Sequence, residues 1–172
     1  MTTRVLVCVA GAETPGFWTH VRDLLPPDAV VDLFHVIDDA AARELEMRVF
    51  RRPGHPPPRT LDERAHAAEQ RGSDAILDDA ARALGRPADV AVGRGRPEQE
   101  IVSRAIKGGV ALVIVACRPG EDATDPGPHS LGHVARFVVD HAPCPVLVVR
   151  LPPTRPFVPQ PPPPDAPRPP RP

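Results

Sequence analysis

"ALVIVACRPG" (Ala111–Gly120) decides the fold of this chain. Its first seven residues are apolar and rich in β-branched side chains, as expected of a central parallel strand covered on both faces. Beyond Gly132 the pattern turns helical, with Val134, Phe137, Val138 and His141 following at helical spacing. Three further runs resemble this strand: "RVLVCVA" (Arg4–Ala10), "VVDLFHVI" (Val30–Ile37) and "PVLVVR" (Pro145–Arg150). "ADVAV" (Ala88–Val92) is a weaker fifth, better suited to a sheet edge.

Helical patterns fill the gaps. Phe17, Val21, Leu24 and Leu25 share a face after Pro15. "TLDE" (Thr60–Glu63) has capping-box spacing, and Leu61, Ala65, Ala68, Ile76, Ala80 and Leu84 continue the helix behind it, with a kink expected at Gly72 and Ser73. Pro97 starts another helix, in which Ile101 and Ala105, with Val102 and Ile106, face inward. The resulting order, β-α-β-α-β-α-β-α-β, predicts an α/β fold: a parallel sheet with helices on both faces and right-handed crossovers. Ligands bind such sheets beyond the carboxyl ends of the strands, near the switch in strand order. Both "AGAETPG" after the first strand and the segment after "ALVIVAC" leave strands at that edge.

Composition bounds the rest. At 172 residues, 41% hydrophobic and net charge -1, the chain predicts one domain, residues 1–151, and a tail. Near-neutral charge argues against nucleic acid as a partner, since phosphate backbones require a basic surface. From Pro152 onward, "PPTRPFVPQPPPPDAPRPPRP" lacks the backbone donors for regular structure, so 152–172 is expected to be an extended, disordered tail. Its PxxP spacing suits a protein partner that reads such motifs. The first apolar run breaks at Gly11, too short to span a membrane and too strand-like for a signal peptide. Cys8, Cys117 and Cys144 lack disulfide-framework or zinc-ribbon spacing, and a reducing cytoplasm is the expected setting.

Several segments together resemble the universal stress protein family. "DHAPCPVLVVR" (Asp140–Arg150) is similar to its closing segment, "LFHVID" (Leu33–Asp38) to the end of its second strand, and "VGRGRPEQEIVSRA" (Val92–Ala105) to the start of its third helix. "ALVIVACRPG" resembles its fourth strand and turn. The resemblance implies a five-stranded parallel, Rossmann-like sheet of the adenine-nucleotide alpha-hydrolase type, in the order 3-2-1-4-5. It also implies a homodimer through the last strand, Pro145–Arg150.

ATP-binding members carry a G-x2-G-x9-G-[S/T] motif after the fourth strand, whose glycines bring backbone N–H groups and a helix start to the phosphates. In this chain Cys117 replaces the first glycine and Gly120 matches the second. Gly132 is the third after eleven intervening residues, and His133 stands where Ser or Thr is expected. Glu121, Asp122 and Asp125 add like charge beside a triphosphate. The family's "VDGS" after the first strand is here "VAGA", which puts Ala10 at the acidic position, followed by Gly11. Val36 matches the position whose backbone meets adenine.

Candidate cofactor-binding residues are thus Ala10, Gly11, Val36, Arg118, Gly120, Gly132, His133 and Val134. Arg118 is the residue able to pair with a phosphate. No cofactor is assigned outright; ATP and AMP are the candidates, and the losses weigh more against ATP. No metal is assigned: His129 and His133 are four apart, but His129 precedes the helix and no acidic partner has motif spacing. No nucleophile elbow or carboxylate pair appears, so no catalytic residue is assigned and no enzymatic activity is expected. "GRGRP" (Gly93–Pro97) reads as a tight turn, and Glu46–Arg59 as a basic irregular loop. The expected role is stress-response regulation through dimerisation and partner contact, with nucleotide binding weakened or lost. An adenine-nucleotide sensor using the modified loop is the alternative.

Overall fold

The structure, a computed structural model, describes residues 3–40, 59–117 and 131–150. The basic stretch up to residue 58, residues 118–130 and the tail lie outside them. Five strands and four helices alternate among the described residues: β1 (Arg4–Val9), α1 (Pro15–Leu24), β2 (Val30–Asp38), α2 (Arg59–Leu84), β3 (Asp89–Gly95), α3 (Pro97–Gly108), β4 (Leu112–Ala116), α4 (His133–His141) and β5 (Val146–Val149). All pair in parallel in the order β3-β2-β1-β4-β5, the expected topology.

Strand alternation separates two cores. Val5, Val7 and Val9 of β1, with Val31 and Leu33 of β2, face Phe17, Trp18 and Val21 of α1 and Leu77, Ala80 and Leu84 of α2. Leu6 and Cys8, with Phe34, Val113 and Val115, face Ile101 and Ala105 of α3 and Ala135 and Val138 of α4. β1 is buried on both faces because it lies at the centre of the sheet.

One polar pair crosses the second core. Asp32 is 1% exposed and accepts hydrogen bonds at Oδ2 from Arg104 Nε (3.0 Å) and Nη2 (2.8 Å). The Arg104 guanidinium also lies over the Phe34 ring, 5.6 Å from its centroid. At the amino edge of the sheet, Arg86 donates to the carbonyls of Pro26, Pro27 and Ala29, tying the end of α2 to the turn before β2.

The structure corrects several expectations. "GRG" is not a turn: β3 continues through Gly93, Arg94 and Gly95, in register with Val36, Ile37 and Asp38. A Cβ on Gly93 would stand 2.6 Å from Phe34 Cζ, so this glycine serves close packing within the sheet. α2 passes unbroken through Gly72 and Ser73; Ser73 is buried and its hydroxyl donates to the Glu69 carbonyl. Thr60 stands one residue inside α2 and not before it. Ala65 and Ala68 are exposed, like every described residue of α2 from Arg64 to Gly72, because that half lies outside the buried contact formed from Ser73 onward. Arg94 holds it from the side, 2.8 Å from Glu69 Oε2. Leu24 and Ile106 are 55% and 61% exposed, and Trp18 takes the place in the α1 core expected for Leu24. His141 is also exposed, stacked on Phe137 at 4.0 Å.

Candidate functional site

The strand order reverses between β1 and β4. The chain leaves β1 for α1 on one face, and α4, on the other face, follows β4, so their carboxyl ends bound the crevice where such sheets place ligands. Ala10 and Gly11 follow the last residue of β1 at this edge. Gly132, His133 and Val134 reach the same end from the other face, at the start of α4. Val36 lies inside β2, opposite Gly93. β1 stops at Val9 opposite His35, so Val36, Ile37 and Asp38 extend beyond it at the crevice. Arg118 and Gly120 lie outside the described residues.

The amino terminus of α4 carries no side-chain cap. Gly132 is its N-cap at φ 74, a left-handed conformation that favours glycine. The first amides of a helix have no intrahelical acceptor, and together with the helix dipole they favour an anion. The Val134 side chain packs against the second core. His133 is turned toward α3: its Nε2 lies 3.6 Å from Oε1 of Glu98, a nearly buried carboxylate in the first turn of that helix.

Two functional groups were not picked out from sequence. Glu13 folds back over the end of β1, accepting hydrogen bonds from the Ala10 amide at Oε1 (2.6 Å) and from the Gly11 amide at Oε2 (2.9 Å). A carboxylate therefore sits beside Ala10, although residue 10 itself is not acidic. Glu98 is the second, and it draws His133 sideways. Neither has a distinctive sequence signal; Glu13 is legible only once the chain is known to reverse just after β1.

None of Cys8, Cys117 and Cys144 is in a disulfide. Burial, followed by the charges of Asp32 and Glu13, pushes the Cys8 thiol far above its ordinary range. Burial also raises Cys144, against a backbone hydrogen bond with Val113. Cys117 does not face Cys8 across the sheet: the register pairs Val7 with Ile114, which carries Cys8 to Val115. His35 Nδ1 bonds the Val9 carbonyl at 2.8 Å, fastening β2 to the end of β1. Among the described residues no group of three His, Cys, Asp or Glu side chains is placed to hold a metal, and no helix is long and apolar enough to cross a membrane.

Comparison with known proteins fits this architecture. The family model described as "Universal stress protein family" matches residues 1–150. Universal stress protein UspA from Lactobacillus plantarum is similar in structure, with TM-score 0.60 and 21% identity over 86% of this chain and 97% of that one. A universal stress protein family protein from Arabidopsis thaliana with AMP bound gives TM-score 0.54 and 17% identity, over 86% and 91%. A universal stress protein in complex with cAMP gives 0.52 and 14%, over 87% and 97%. A search of curated protein sequences found no match. With strand order and family match in agreement, the chain belongs to the universal stress protein family.

Proposed function

We propose that this chain is a cytoplasmic, non-catalytic stress-response regulator that works through self-association and partner contact, with ATP affinity weakened relative to nucleotide-binding members of its family. The observation that carries this reading is the edge strand β5. It lies at one end of the sheet, and Val146, Leu147 and Val148 are only half-buried in a single chain. An apolar edge strand is a template for pairing, and a second copy of the same strand supplies a symmetric partner. The proline-rich tail is the natural place for a further protein contact. Sedimentation of the full chain tests the association: twice the chain mass of 18.5 kDa is expected, and Val146→Lys, which places a charge on the edge, is expected to give monomer. A folded monomer for the unaltered chain at tens of micromolar would overturn it.

Weakened ATP affinity is supported by the Glu13 carboxylate at the crevice, which repels a polyphosphate brought to the same strand end. A second reading, adenine mononucleotide sensing, is favoured by Gly132, since one uncapped helix terminus suits one phosphate. The AMP and cAMP bound to two similar structures are of that size. AMP binding that is lost in Gly132→Asp would support this reading, and AMP binding indifferent to that substitution would remove it.

A further inference from the structure

We infer that the cleft between α1 and α2 is a second ligand site, one that takes a small carboxylate with an aromatic or aliphatic body. The ligand carboxylate replaces that of Glu13 on the Ala10 and Gly11 amides. The cleft lies against the first core, on the face of the sheet opposite α3 and α4, and meets the nucleotide crevice only at the Ala10 and Gly11 amides. Its volume of about 440 Å³ falls in the range of small-molecule sites. Val9, Trp18, Ile76, Ala80 and Ala83 line it with apolar surface, which suits the body of such a ligand.

The polar groups at the mouth specify the rest. Gly11 and Glu13 belong to the lining, and the two successive amides already hold a carboxylate at 2.6 and 2.9 Å. Consecutive N–H groups aimed at one point form an anion-binding concavity, and Glu13 shows which anion this one accepts. Asp79 on the α2 wall is ion-paired with Arg82. Arg22 on the α1 wall is exposed and donates to the Thr19 hydroxyl at 3.3 Å, leaving guanidinium donors for an incoming oxyanion. Exchange of one carboxylate for another leaves the charge on the amides unchanged, and Glu13 is only partly buried, so it can swing into water. Glu13 is thus a built-in competitor, lowering the apparent affinity by the fraction of time it occupies the amides.

The test is calorimetric titration of the full chain with 2-naphthoate and with the neutral 2-naphthylmethanol, alongside the indole N–H resonance of Trp18, the only tryptophan. Glu13→Ala is expected to bind 2-naphthoate at least about five-fold tighter than the unaltered chain, with the alcohol unaffected, because a competitor has been removed. Binding should shift the Trp18 resonance. Ala83→Phe from one wall and Thr19→Phe from the other should each abolish binding in a chain whose melting curve remains cooperative. The inference is overturned if Glu13→Ala leaves the 2-naphthoate affinity unchanged, if neither form binds, or if binding leaves Trp18 unmoved or survives both blocking substitutions.

Discussion

Removing Arg104 should be among the most costly single changes in this domain. Asp32 is 1% exposed; among the described residues its Oδ2 is held by the two Arg104 donors alone, and Oδ1 is buried without a partner. Arg104→Ala therefore leaves a carboxylate in the second core with no donor at either oxygen. Breaking a buried pair in this way costs about 3–5 kcal/mol. The Arg104 side chain is 37% exposed, so water can follow it in, and the lower end, about 3 kcal/mol, is expected. Against a total stability of about 5–15 kcal/mol the loss is large. With a urea m-value near 2 kcal/mol/M, it lowers the unfolding midpoint by about 1.5 M. The double variant Asp32→Leu/Arg104→Met replaces the pair by apolar groups and should recover most of the loss, giving a coupling of about 2 kcal/mol or more. Urea unfolding followed by circular dichroism measures all three proteins. An Arg104→Ala cost below about 1 kcal/mol, or additive effects in the double variant, would refute the reasoning.

Other expectations are simpler to state. Gly93→Ala brings a Cβ to 2.6 Å from the Phe34 ring in a close-packed sheet, so a loss of about 1–3 kcal/mol is expected in thermal melting, and an unchanged midpoint would contradict the packing role. Cys8 should resist thiol reagents in the native state, with labelling rates that track global unfolding, because burial keeps it protonated. The same shift has a pH consequence. The folded Cys8 pKa lies above the unfolded one, so its stabilisation is full below the ordinary thiol range and is lost as pH rises beyond it. Unfolding midpoints should therefore fall toward alkaline pH, less steeply in Cys8→Ala; equal slopes would assign the fall elsewhere, Cys144 being the other raised thiol.

The framework was legible because burial imposes itself on composition. A strand covered on both faces is mostly apolar, and the apolar runs of β1, β4 and β5, with that of β2 around Asp32 and His35, announce themselves in that way. β3 was cut short because Gly93 is normally a turn signal; here it makes room for Phe34, a residue distant in sequence. Trp18 and Leu24 exchanged places because both fit a helical face, and only contact with α2 and the sheet selects between them. At the site, strand ends and helix starts placed Ala10, Gly11, Gly132, His133 and Val134 at one edge. Glu13 and Glu98 were not legible. Each is an ordinary surface acid in sequence, and its role depends on which backbone amide or side chain the fold brings within reach.

The most direct measurement is calorimetric titration of the full chain with ATP and magnesium, set beside AMP, after checking the purified protein for bound nucleotide. The account predicts no co-purified ATP and no saturable ATP binding at micromolar concentration, because the Glu13 carboxylate brings negative charge to the crevice where a triphosphate would lie. Micromolar ATP binding that disappears in Gly132→Asp would contradict it and make the crevice a working triphosphate site.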